Sequence, residues 1–221
     1  DRDRFYSDYV NTYLERDIKD LSQVGKLSEF YDFLVLLAAR TAQELRYDEL
    51  ARAVGVSSPT IKNWVSILER SGVVVILRPY ASTLTNRLVK MPKIYFMDTG
   101  LCAYLCRWPT PETLENGAAD GAFLETYVVS EIIKSYYNAG KTPDLYYYRD
   151  IDKREIDLLI EKGDKLYPIE VKKAKNPAHA DKNFDVLKVF KKQIEPGIIL
   201  CMSDELIPYS RKAWFCPISL L

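Results

Sequence analysis

Two hydrophobic periods divide this chain. Up to about residue 72 the apolar positions recur three and four apart, the spacing of one helix face. DRDRFYSDYVNTYLERDIKDLSQ carries a stripe of Phe5, Tyr9, Tyr13 and Leu14 and predicts a helix, with a break at Gly25. SEFYDFLVLLAART predicts a second helix, and YDELARAVGV a third that ends near Gly55. PTIKNWVSILERSG predicts a fourth, with Ser57-Ser58 supplying the N-cap, Pro59 in the first turn and Gly72 as the stop. VVVILRPY then reads as a strand, and TLTNRLVKMPKIYFM supplies a wing and a return strand.

Helix, turn with glycine, helix and hairpin is the helix-turn-helix layout, so residues 25–110 are expected to form a winged-helix domain. Residues 1–24 are expected as a helix leading in from a preceding domain, because the chain opens inside a helical pattern without an initiator methionine. In DNA-binding winged helices the helix over PTIKNWVSILERSG enters the major groove. Its outward candidates are Thr60, Lys62, Asn63 and Ser66, while Ile61, Val65, Ile67 and Leu68 read as core and Trp64 suits either face. Between Arg46 and Lys90 the bases Arg46, Arg52, Lys62, Arg70, Arg78, Arg87 and Lys90 outnumber Asp48, Glu49 and Glu69, which favours phosphate contact. Arg78 and Arg87 join the DNA-binding candidates. The same surface would equally serve protein docking, since the recognition helix itself carries few cations.

After the apolar run KIYFM, Asp98 reads as the N-cap of a short helix. RWPTPETLENGAA is turn-rich and predicts a linker. From there the period alternates between helix and strand. The sequence predicts a helix over about 120–138, a strand over 144–149, a hairpin within 153–173 turning at Lys162-Gly163-Asp164, and a helix over about 180–192. A buried strand in GIILCM and a last strand in AWFCPISLL complete it. The expectation for the whole is an α/β (α+β) protein, with residues 111–221 built on a central mixed sheet.

Composition narrows the functions. Nearly half of the 221 residues are hydrophobic, and the formal net charge is zero, so a strongly basic nucleic-acid binder is not evident from the whole chain. Cys102, Cys106, Cys201 and Cys216 include no C-x2-C pair and the single histidine, His179, is remote in sequence, which argues against zinc and for reduced thiols in the cytoplasm. No apolar run is long enough for a bilayer, so no membrane partner is expected. The tyrosine clusters at 136–137 and 146–148 read as packing, with base stacking the lesser alternative.

The chemistry concentrates in the hairpin. In KREIDLLI, Ile156, Leu158 and Ile160 share one face and Glu155 and Asp157 the other; in YPIEVKK, Glu170 and Lys172 lie opposite Ile169 and Val171. Asp157, Glu170 and Lys172 can therefore meet on one surface. Adjacent carboxylates resist ionisation unless a cation neutralises them, and Mg2+ held by one or two carboxylates can acidify a water and stabilise charge at a scissile phosphate. A neighbouring lysine adds to that stabilisation. The plain alternative is an exposed strand face with cross-strand ion pairs.

Asp157…Glu170-Val171-Lys172 resembles the catalytic core of the restriction-endonuclease-like nucleases, the PD-(D/E)XK superfamily, although Ile156 stands where that motif has proline. The resemblance implies Glu125, Asp157 and Glu170 as Mg2+ ligands, with Lys172 completing the catalytic set. Glu125 in GAFLETYVVSEII matches the glutamate that the superfamily often carries on the preceding helix, and it heads an apolar stripe through Val128, Val129 and Ile132. A wider resemblance covers essentially the whole chain. TYLERDI, KIYFMDTGLCAYL and FLETYVVSEI resemble the C-terminal half of a prokaryotic AAA-type ATPase family, a region of unknown function. It implies an ATPase domain N-terminal to this segment as a partner in the same chain, with ATP bound only by the full-length protein. Gly140-Lys141-Thr142 looks like the tail of a P-loop, but Ser135 stands where its first glycine belongs, so NAGKTPD reads as a helix end. Expected partners are DNA and that ATPase domain, with the first helix a candidate for homo-oligomer assembly.

Overall fold

The structure is a computed structural model that describes residues 1–14, 27–83 and 91–221, with no side-chain detail at Tyr13 and Leu14. It is a mixed α/β protein whose strands pair both parallel and antiparallel. Two compact units result: Asp1–Ile76 with Ile94–Asp120, and Leu77–Lys93 with Gly121–Leu221. Among the described residues no helix is long and apolar enough to cross a membrane.

The first unit opens with helix α1, Arg2–Asp8, capped by the Asp1 carboxylate, and continues as a π-helical stretch over Tyr9–Leu14. The expected stripe is displaced here. Phe5 is 63% exposed, whereas Val10 is buried. The inward face runs through Tyr6 and Val10 because the Tyr6 hydroxyl donates to Asp98 at 3.0 Å and its ring stacks on Tyr104. The remainder of the expected helix and the break at Gly25 lie outside the described residues.

Helix α2 (Leu27–Ala38), α3 (Tyr47–Val54) and α4 (Ser58–Arg70) follow the predicted apolar faces. Gly55, at φ 81°, ends α3 in the left-handed conformation that a residue without Cβ adopts without penalty. Ser57 caps α4 by accepting from the Thr60 amide. Trp64 resolves to the core, edge-on to Phe30 with ring centroids 5.2 Å apart. Strands β1 (Gln43–Glu44), β2 (Val74–Pro79) and β3 (Lys93–Phe96) come in the order β1-β3-β2, although the far end of β2 and Lys93 group with the second unit. The expected wing, 84–90, is outside the described residues. Asp98 caps α5 (Thr99–Leu105) through the Leu101 amide, and the turn-rich stretch holds a short α6 (Pro111–Glu115) with a Thr110–Thr113 capping box.

In the second unit, α7 (Asp120–Asn138) ends where the Gly140 and Lys141 amides reach back to the Tyr137 and Tyr136 carbonyls. NAGKT is thus a helix terminus, as its sequence predicts. The strands are β4 (Leu145–Arg149), β5 (Glu155–Lys162), β6 (Lys165–Val171), β7 (Gln193–Ile194), β8 (Gly197–Cys201), β9 (Ile207–Pro208) and β10 (Ala213–Pro217). Their order is β4-β5-β6-β8-β10-β9, with the end of β2 parallel to β4 and β7 beside β6. The β5–β6 hairpin turns at Gly163, φ 62°. Successive residues Leu158 and Leu159 are both fully buried, so the strand is covered on both faces.

The helix expected over 180–192 is instead a 3-10 stretch, Phe184–Phe190, closed by Lys191 in the left-handed region. Phe184, Leu187 and Phe190 recur every three residues, the 3-10 period, and the first two insert into a core with Tyr148, Ile156, Leu159 and Phe215.

Candidate functional site

Strands β5 and β6 pair antiparallel with Leu158 opposite Ile169, which sets Asp157 and Glu170 one step further along the same ladder. Asp157 accepts the Val171 amide at 2.9 Å through Oδ2. Lys172 Nζ donates to Glu170 Oε2 at 2.7 Å and to Asp157 Oδ2 at 3.5 Å. The three predicted hairpin residues therefore do meet. Glu170 is only 4% exposed, and its Oε1 has no hydrogen-bond partner. Burial, with the neighbouring Asp157 charge second, pushes its pKa up to about 9, so it holds its proton at neutral pH. Burial opposes the charge on Lys172, but the carboxylates, Asp157 first, outweigh it and raise its pKa.

Glu125 is placed differently from the other three. It projects from α7 onto Lys93, whose Nζ donates to it at 2.9 Å and also pairs with Glu155. Arg149 reaches Glu155 at 3.6 Å, and the Lys93 ammonium lies 5.4 Å from the centre of the Tyr147 ring. Lys93 is 4% exposed. Burial works against its charge, yet Glu125 and Glu155 more than compensate, with Asp157 a smaller contributor, and hold its pKa above the ordinary lysine value. The acids thus fall into two linked groups: Asp157 and Glu170 around Lys172, and Glu125 and Glu155 around Lys93. Among the described residues, no three His, Cys, Asp or Glu side chains come together in a way that could hold a metal ion.

Lys93 and Glu155 are the members that sequence reasoning left without a role. Alternation already set Glu155 on the Asp157 face. The signal for Lys93 was a lysine opening the apolar run KIYF, every residue of which is buried. Lys153, at the head of the hairpin stretch, is exposed.

The nucleic-acid candidates on α4 point outward as expected: Lys62 and Asn63 are exposed, Thr60 and Ser66 half-buried. Lys62 leans over the Tyr47 ring at 5.6 Å. Arg78 is exposed on β2 within the second unit, and Arg87 lies outside the described residues. All four cysteines are free, with Cys102 and Cys201 buried.

A mixed sheet carrying a buried carboxylate–lysine cluster on one hairpin, together with an α-helical unit, describes the class of protein. The chain belongs to the family described as Domain of unknown function (DUF8612), which matches residues 1–112. Residues 120–221 match a second description, Domain of unknown function (DUF4143). Similar curated proteins include Uncharacterized protein Mb2031c of Mycobacterium bovis and Uncharacterized protein Rv2008c of Mycobacterium tuberculosis, each 30% identical over 171 residues. Those alignments cover 77% of this chain but 38% of either relative. No solved structure matches the chain.

Proposed function

We propose that the second unit is a restriction-endonuclease-like domain that performs Mg2+-dependent phosphodiester hydrolysis on DNA. In this reading the first unit is a winged helix, and both form the C-terminal portion of a AAA-type ATP-binding protein. The observation that carries the proposal is the meeting of Asp157, Glu170 and Lys172 on one hairpin, with Glu170 Oε1 buried and unpartnered.

The donor set fits a hard divalent cation. Two carboxylates share one lysine, and an unanswered oxygen faces inward, which suits an ion that takes one or two carboxylates and retains waters. Asp157 and Glu170 would hold it, while Glu125, expected as the third ligand, is engaged by Lys93. When bound, such an ion supplies an acidified water and stabilises charge at a phosphate. Lys172 places a fixed positive charge beside Asp157, where it would meet an anionic substrate. Lys93 holds Glu125 and Glu155 in place through its two ion pairs at the rim of the site.

Calorimetric titration with Mg2+ or Mn2+ tests the reading. Saturable binding at millimolar metal that Asp157→Ala removes, together with metal-dependent nicking of plasmid DNA, is the expected result. No heat with either ion would sink the catalytic claim.

A second reading is favoured by the two lysines, which already neutralise most of the acidic charge. There the hairpin is a degenerate site, and the protein is a non-catalytic DNA-binding or docking module coupled to the ATPase. Filter binding across a salt series separates its halves. A salt-dependent affinity that Lys62→Ala weakens indicates DNA, and a flat null response indicates docking.

A further inference from the structure

The second unit contains a cleft of about 270 Å3 between the 3-10 stretch, the segment leading into β8 and the turn before β10. None of its lining residues belongs to the Asp157–Glu170 cluster, so any ligand it takes is independent of the proposed function.

Its charges do not balance. Lys188 and Lys212 both pair with the single carboxylate of Asp185, leaving two ammonium groups for one acid. The other acid at the cleft, Glu195, is engaged by Lys165 at 2.6 Å and by Gln193 at 2.6 Å. Arg211 is exposed and, among the described residues, has no ion pair or side-chain hydrogen bond. The cleft therefore offers about two positive charges that the protein itself leaves unanswered.

The turn that presents Arg211 is built rather than loose. Ser210 Oγ accepts the Lys212 amide at 3.0 Å and donates to Asp181 at 2.7 Å. The Tyr209 and Ser210 amides both reach the Ala213 carbonyl, and the Lys212 carbonyl accepts the Gly197 amide at 2.7 Å. Apolar surface completes the cleft. Phe184 forms a buried base, packed so tightly on Gly197 that a Cβ there would come within 2.4 Å of the ring. Ile194 and Pro196 form the apolar wall.

We propose that this cleft binds a small phosphate monoester with an apolar or aromatic body. The Arg211 guanidinium would fork two phosphate oxygens, and Lys188 and Lys212 would add point charges for a dianion. Ile194 and Pro196 would take the organic part. The volume sits just below the usual range for ligand pockets, which fits a small molecule and not a length of polymer.

Phenyl phosphate is the probe, titrated into the intact chain and followed by calorimetry and by amide shifts at Ile194 and Gly197. The expected result is a Kd below about 1 mM that Arg211→Ala weakens by about tenfold, with Lys188→Ala moving it in the same direction. Both side chains are exposed, and circular dichroism would check that each variant folds. Benzoate and inorganic phosphate should each bind about tenfold more weakly, the first lacking the second charge and the second lacking the body. Affinity should survive in Asp157→Ala with chelator present. Absence of saturable binding, an affinity unchanged in Arg211→Ala, benzoate binding as well as phenyl phosphate, or inorganic phosphate binding as well would each overturn the assignment. Loss of affinity in Asp157→Ala would move the ligand to the carboxylate cluster and overturn it too.

Discussion

In the first unit Phe30, Phe33 and Trp64 meet with ring centroids 5.7, 5.2 and 5.3 Å apart, beside Leu34 and Leu37. In the second, α7 and three strands bring Lys93, Glu125, Glu155, Asp157, Glu170 and Lys172 into two neighbouring groups of ion pairs. Among the described residues the two charged side chains that are buried, Lys93 and Glu170, both belong to this second unit. The aromatic core needs no explanation beyond the transfer of apolar surface from water. The charged interior does, because well-packed apolar residues can often replace a buried ion pair without loss of stability. Retained charges of this kind are consistent with the site proposed on the hairpin.

The largest expected effect tests the apolar side. Phe33 is fully buried between Phe30 and Trp64, so Phe33→Ala should destabilise the protein by about 3–5 kcal/mol, read from the denaturant midpoint. The loss should not depend on pH between about pH 5 and 9, where no aromatic hydrocarbon titrates. Lys93→Met tests the charged side. It leaves Glu125 and Glu155 facing a thioether, and should cost roughly 3 kcal/mol near neutral pH. The sign for Lys93 follows from its raised folded-state pKa. Its contribution is fully present below the ordinary lysine value of 10.5 and is lost as pH rises past it. A Lys93→Met protein as stable as the parent at neutral pH would erase the contrast between the two interiors.

Legibility in the sequence tracks the range of the interaction. Ser57, Gly55, Asp98 and Gly140 act within a few residues of themselves, and each cap stands where its residue type places it. The hairpin is local too: alternation and one glycine suffice to bring Asp157, Glu170 and Lys172 together. The Lys93–Glu125 pair joins a strand to a helix 32 positions further on, and no period along the chain encodes it. Tyr6 turns inward over Phe5 for a carboxylate at Asp98, a preference invisible to hydrophobic spacing. The 3-10 stretch at Phe184–Phe190 carries apolar residues three apart, and the same letters count as a helical face until the core selects the tighter turn.

A smaller effect bears on the metal. Glu170 holds its proton up to about pH 9 in the folded chain, against an ordinary value of 4.5. The native state thus binds more protons than the unfolded one, and stability should fall as pH climbs from about 4.5 to 9. Glu170→Gln should flatten that slope. A cation on Glu170 must displace the same proton, so Mg2+ affinity should rise by up to about tenfold per pH unit and level off above about pH 9. Calorimetry in two buffers of different ionisation heat would count the released proton. An affinity that is flat across this range would remove Glu170 from the ligand set while leaving Asp157 in question.

The smallest effect returns to the first unit. Ser57 Oγ accepts the Thr60 amide at 3.3 Å and lies 2.8 Å from the Thr60 hydroxyl. Removing it in Ser57→Ala leaves one N-terminal amide of α4 without its side-chain acceptor, a loss of about 1 kcal/mol. No charge is involved, so the change should be the same at low and high salt and across the neutral range. Lys93→Met should behave in the opposite way, with its cost falling as pH rises past the ordinary lysine value of 10.5. Thermal unfolding of the two variants over a common pH series therefore compares a neutral cap with a buried charge in a single experiment. Parallel curves would mean that the Lys93 cluster contributes through packing, as the aromatic core does. Curves that converge at alkaline pH would mean that it contributes through charge.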